Sequence, residues 1–103
     1  MTFFGIPATL FPLGRIVTTP GAAHACTIDH LTECLLSHAG GDWGCVSPVD
    51  AAENTLAVRS SARILSAYPI DPTKPCHGFG ENCLWIITEG DRSATTLLLP
   101  SEY

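Results

Sequence analysis

At 103 residues, with 46% hydrophobic and 15% charged side chains, the chain has room for one domain and one modest core, and it argues against disorder. Ten acidic residues against five basic ones give a formal charge of -5, so no basic stripe can form and direct nucleic-acid binding is not expected. No apolar run approaches the roughly 18 residues of a membrane span, and five cysteines, odd in number and without repeated spacing, fit free thiols in the cytoplasm.

Residues 1–13 carry Pro7, Pro12, Gly5 and three phenylalanines, and read as an extended N-terminal arm whose aromatics cover the core. The stretch lacks a basic start and is broken by Gly5 and Pro7, so it is not a signal peptide. The remaining residues, 14–103, are expected to form a single α+β domain.

Gly14 to Thr19 predicts a strand that Pro20 ends by removing a donor, and Pro20-Gly21 predicts a turn. From Ile28 the apolar period becomes helical. Ile28, Leu31, Leu35 and His38 share a face with Cys34 and Ala39 beside them, Thr27 is a plausible cap, and Gly40-Gly41 stops the helix. Ser47-Pro48-Val49-Asp50 starts a second helix with a capping hydroxyl, a first-turn proline and an acid at the third position. Its expected buried stripe is Val49, Ala52, Leu56 and Ala57.

Ala62 to Ile70 reads as a strand ended by Tyr68-Pro69. Asp71 to Asn82, with Pro72, Pro75, Gly78 and Gly80, reads as an excursion between strands. Cys83 to Glu89 and Ser93 to Leu99 then form a final pair of strands around the charged turn Glu89-Gly90-Asp91-Arg92. The order is β-α-α-β-β-β, two helices packed on one face of a small, mainly antiparallel sheet of three to four strands. Leu97-Leu98-Leu99 implies that the last strand is covered on both faces or lies partly under a partner, which includes a second copy of the chain.

Gly41-Asp42-Trp43-Gly44 links the helices. It reads first as a structured turn with Trp43 closing over the core, and alternatively as an exposed aromatic platform. Cys76-His77 and Cys83 flank one loop, but no pair has the two-residue spacing of structural zinc sites and His24-Ala25-Cys26 lies far away in sequence. No metal or cofactor is expected; Cys76 and Cys83 are placed to pair only under oxidising conditions. For acid-base work the available groups are His24, His30, His38, Arg63, Tyr68, Glu89 and Arg92. A metal-independent ribonuclease needs a base, an acid and a cation for the phosphorane, roles open to Arg63, Tyr68, Glu89 and Arg92. Each has a plainer explanation: Arg63 and Glu89 as a cross-strand ion pair, and His38 as a positive ring at a helix C-terminus. The Glu89–Arg92 turn is the strongest functional candidate, because its charge is costly to hide and a hairpin does not need it.

Five segments carry a resemblance: FPLGRIVTTPGA (Phe11 to Ala22), GDWG (Gly41 to Gly44), Asn54, RILSAY (Arg63 to Tyr68) and WIITEGDRSATTLLLPSEY (Trp85 to Tyr103). In these the chain resembles a family of small, largely uncharacterised bacterial proteins from plasmids, integrative elements and prophages. Residues 1–10 look like an extension before the usual FPLG start, and PTKPCHGFGENC is longer and richer in cysteine than the family's short turn. The resemblance implies a mobile-element setting rich in antidefence proteins and toxins. An inhibitor of a host defence complex, such as a CRISPR effector, would act by occupying a host or element-encoded protein, with Asp42, Trp43, Glu89, Asp91 and Arg92 as its contact residues. The alternative is a toxin-like endoribonuclease, and it requires Arg63, Tyr68, Glu89 and Arg92 to meet in one cleft.

Overall fold

In the computed structural model, residues 9–103 are described. Four strands, β1 (Arg15–Thr18), β2 (Ile64–Tyr68), β3 (Leu84–Thr88) and β4 (Ala94–Leu98), form one sheet in the order β1-β4-β3-β2. β2, β3 and β4 are antiparallel neighbours, while β1 runs parallel to β4 with Ile16 opposite Thr95 and Thr18 opposite Leu97. Three helices precede β2: α1 (Pro20–Ala25), α2 (Ile28–Ala39) and α3 (Pro48–Ala57). The architecture is α+β with a mixed, mainly antiparallel sheet, as the sequence predicts.

Both predicted caps form. Thr27 accepts the His30 amide at 3.1 Å and Ser47 accepts the Asp50 amide at 3.1 Å. Pro20-Gly21 is a correction: it opens α1 and does not make a turn. Proline at the first helical position forfeits no hydrogen bond, and the Thr19 hydroxyl caps the Ala22 amide at 3.3 Å.

Side chains of Ile64, Ser66, Tyr68, Leu84, Ile86, Thr88, Thr95 and Leu97 share one sheet face, as register and the period of two require. Tyr68, Leu84, Ile86 and Leu97 there join Ala22 of α1 and Cys34 of α2 in the main core, with Leu31 and Leu35 against it. Leu97 and Leu98 are both buried although they point to opposite faces, so β4 is covered on both sides by the chain itself. Burying each such aliphatic side chain is worth about 1.5–3 kcal/mol. A second cluster joins Phe11, Trp43, Ala57 and Ile64. Of the expected arm, residues 1–8 lie outside the described part. Its end belongs to the fold: the Leu10 amide bonds Ala39 O at 2.8 Å and Phe11 is 4% exposed.

The stripe expected on the second helix is the larger correction. Val49 and Leu56 are 68% and 72% exposed, and Ala52 is also exposed. The inward residues are Ala51, Asn54, Ala57 and Val58, because α3 lies along the outer edge of β2, where small side chains allow close approach to backbone. Asn54 works there as a surrogate strand. Its amide nitrogen donates to Leu65 O at 2.8 Å and its oxygen accepts the Leu65 N–H at 3.3 Å. Ala67, the other outward residue of β2, is paired by the α2–α3 link: its amide bonds Trp43 O at 3.2 Å and its carbonyl accepts the Cys45 amide at 2.8 Å. Gly44 makes that approach possible, with φ of 74°; a Cβ there would stand 1.9 Å from Ala67 O. The β2 edge is therefore sealed. Asn54→Ala leaves both Leu65 groups unpaired and should lower the urea unfolding free energy by about 1–3 kcal/mol, against less than about 0.5 kcal/mol for Leu56→Ala.

Candidate functional site

α2 packs on the sheet with a histidine inside it. His38 is fully buried, with Nδ1 2.6 Å from Ser66 Oγ and Nε2 2.8 Å from Thr88 Oγ1. Thr88 Oγ1 lies 2.7 Å from Thr95 Oγ1, which donates to Leu13 O at 2.7 Å. A carbonyl only accepts, so the direction of the whole chain follows. Thr95 gives its proton to Leu13, Thr88 gives its proton to Thr95, and His38 donates from Nε2 to Thr88. Nδ1 is then the acceptor for the Ser66 hydroxyl, and the ring is satisfied while neutral. Burial lowers its pKa to about 4. The positive ring expected at the helix end is thus corrected: desolvation outweighs the helix dipole. Polar Ser66, Thr88 and Thr95 at inward strand positions are the trace this network leaves in the sequence.

Of the predicted ribonuclease residues, Arg63, Glu89 and Arg92 lie at one end of the β2–β3 pair and Tyr68 at the other. Trp43 is 7% exposed, lies against Phe11 and His38, and donates from Nε1 to Thr55 at 3.2 Å, so it closes the core and offers no platform. Asp42 accepts the Gly44 amide at 3.1 Å and shapes that turn. Tyr68 is buried and donates to Asp42 O at 2.5 Å, and burial pushes its phenol far above the ordinary range. Arg63 is exposed, donates to the Tyr103 hydroxyl at 2.6 Å and stacks on that ring, where a cross-strand pair with Glu89 was expected. Roughly 16 Å of strand separates Arg63 from Tyr68. Glu89 and Asp91 are exposed; Asp91 accepts the Ser93 amide at 3.0 Å, and the Ser93 hydroxyl, followed by that amide, holds its carboxyl below the usual range.

Arg92 overturns the expectation that the hairpin does not need its charge. At φ of 59°, it turns its guanidinium inward onto four carbonyls: Ala57 at 2.6 Å, Ala62 at 2.7 Å, Ser60 at 2.9 Å and Glu89 at 3.1 Å. A cation at the negative end of α3 is favoured, and the Phe11 ring lies beneath it at 5.6 Å. No histidine brings the four ribonuclease candidates together: His38 is buried, His30 bonds Pro69 O at 2.9 Å, and His24 is exposed on α1. Among the described residues no group of three or more His, Cys, Asp or Glu could hold a metal ion.

The other edge of the sheet is different. The Arg15 and Thr19 amides bond Ser93 O and Leu97 O, each at 3.0 Å, so odd residues of β1 face β4. Ile16 and Thr18 turn their N–H and C=O away from the sheet, and β1 is its outermost strand. Beside that edge Ile16, Thr18, Leu97 and the α2 residues Ile28, Leu31 and Leu35 line a groove of about 180 Å³. Ile16 is 45% and Ile28 80% exposed; Ile28, predicted to be inward, begins α2 and is left largely uncovered by the other described residues. Sequence reading misses this site because its residues look like ordinary core.

No family model, curated protein or solved structure matches the chain. Among the described residues no helix is long and apolar enough to cross a membrane.

Two outcomes follow. Because the folded pKa of His38 lies below the unfolded value of 6.5, the unfolded chain takes up the extra proton. The His38 contribution to stability should be level above about pH 7 and fall by roughly 3 kcal/mol down to pH 4, measured by urea titration, with the imidazole silent to NMR titration above about pH 5. Arg92→Ala should cost about 1–3 kcal/mol, and Arg92→Lys should fail to restore it, since one ammonium cannot span four carbonyls. Loss of function in either variant must be read together with its unfolding curve.

Proposed function

We propose that the chain acts by binding another protein, and that the β1 edge with the β1–α2 groove is its docking surface. The observation that supports this is the asymmetry of the sheet among the described residues, sealed along β2 and open along β1 beside exposed apolar side chains. The occupant is an extended segment of the partner. It adds to β1 as a strand through the outward groups of Ile16 and Thr18 and inserts an apolar side chain between Ile28, Leu31 and Leu35. Asp29 and Glu33 on the exposed part of α2 favour a segment flanked by lysine or arginine. The partner is a host or element-encoded protein. The resemblance to mobile-element proteins makes a component of a host defence system, such as a CRISPR effector, the reading we favour. Blocking such a surface requires no chemistry, and the burial of Tyr68 at the far end of β2 from Arg63, with the Arg92 guanidinium taken up by four carbonyls, weighs against the ribonuclease alternative.

In a host with an active CRISPR system, expression of the chain should restore plating of a targeted phage. Ile16→Asp and Ile28→Asp should each weaken that rescue at least about tenfold, equivalent to about 1.4 kcal/mol of binding, while leaving far-UV circular dichroism unchanged. A photo-crosslinker at position 16 identifies the partner directly. Rescue that survives both substitutions would falsify the groove assignment. A concentration-dependent dimer abolished by Ile16→Asp would assign the groove to a second copy.

A further inference from the structure

Three of the five cysteines gather where the 71–83 excursion meets the α2–α3 link. The excursion is held by its own hydrogen bonds. The Asn82 amide donates to the carbonyls of Asp71 at 3.1 Å, Lys74 at 3.2 Å and Pro75 at 3.1 Å, and Trp85 Nε1 donates to Gly78 O at 2.8 Å. These bonds bracket Cys76 and His77. Gly78 is pressed against the link so closely that a Cβ there would stand 3.0 Å from Cys45 O. On the link side, the Cys45 thiol donates to Ala67 O at 3.4 Å. The Cys76 thiol lies beside both Cys45 and Cys83. Cys83 is fully buried, Cys45 and Cys76 are half-buried, and all three are free thiols.

We propose that Cys76 is a redox-exchange thiol shared between Cys45 and Cys83, oxidised by a low-molecular-weight disulfide. The half-buried Cys76 reacts first: its thiolate attacks one sulfur of the small disulfide, forming a mixed disulfide and releasing one small thiolate. Cys45 or Cys83 then loses its proton to solvent and attacks Cys76 Sγ, expelling the second small thiolate. The protein gives up two electrons and two protons, and the small disulfide becomes two thiols. From a Cys76–Cys83 bond, a Cys45 thiolate can attack Cys76 and take over the bond with no net oxidation. Burial, followed by the adjacent Cys76, raises the Cys45 and Cys83 thiols above their ordinary values, so the closing step accelerates with alkalinity. A bond from Cys76 to Cys45 ties the excursion to the segment that seals β2; a bond to Cys83 closes the excursion on itself.

The test uses the full chain titrated with glutathione disulfide at several pH values, quenched with N-ethylmaleimide and mapped by peptide mass spectrometry. The wild type should form an intramolecular disulfide that contains Cys76. Cys83→Ser should retain the bond Cys45–Cys76, Cys45→Ser the bond Cys76–Cys83, and Cys76→Ser and Cys76→Ala should lose it. A bond in only one of the two single-partner variants overturns the sharing. A Cys45–Cys83 bond at wild-type rate without Cys76, or glutathione adducts alone in the wild type, overturns the assignment altogether. The wild-type map decides the matter even if a Cys76 variant fails to fold.

Discussion

The interaction on which the rest of this fold depends is the hydrogen-bonded chain from Ser66 through His38, Thr88 and Thr95 to Leu13 O. It joins α2, three adjacent strands and the entry to β1 in a region that water does not reach. A polar group in that position must be matched at every atom, because each unmatched one costs as much as several good contacts return. The requirement fixes more than energy. Helix α2 cannot slide or rotate over the sheet without breaking a bond to β2 and another to β3 together. Register among β2, β3 and β4, which apolar alternation leaves open to slippage by two residues, gains a specific lock.

With α2 held there, the two edges of the sheet meet opposite ends. Along β2 every outward backbone group finds a partner in Asn54, Trp43 or Cys45; α3 approaches closely because Ala51 and Ala57 are small, and the α2–α3 link because Gly44 has no side chain. Along β1 the outward groups of Ile16 and Thr18 meet no such element among the described residues, and α2 leaves Ile28 standing clear. An open edge is a liability unless it is short or used. β1 is short, four residues, and the apolar groove beside it suits a strand donated by another protein.

Charge in this chain is scarce, and much of what looks available is consumed by the fold. Arg92 binds four carbonyls where α3 ends and the β3–β4 hairpin turns. Glu102 does the reverse at the C-terminus: its carboxylate accepts from the Thr19 hydroxyl at 2.6 Å, the Leu99 amide at 2.9 Å and the Gly21 amide at 3.0 Å. These bonds keep its pKa below the ordinary range. The reactive-looking residues of the RILSAY and GDRS segments therefore explain the architecture, and the groove beside β1 is lined by residues with no acid-base chemistry of their own.

The sequence by itself determined the elements whose causes are local. Thr27 and Ser47 cap the two main helices where a hydroxyl precedes a helical period. Pro48 and the glycines bound them, and two apolar runs on either side of a charged turn mark the last two strands. Only the tertiary structure decided what depends on residues far apart in the chain. The parallel pairing of β1 with β4 joins segments separated by most of the sequence. The face α3 buries was misread because Val49 and Leu56 are the bulkier residues, whereas a backbone edge selects for small ones and for the Asn54 amide. Period alone could place His38 inward but could not show it neutral, since its charge depends on hydroxyls contributed by β2 and β3. The open groove is illegible in the sequence for the same reason: Ile16, Ile28 and Leu31 read as core in one dimension, and only the order of the strands leaves them at an edge that no other described element covers.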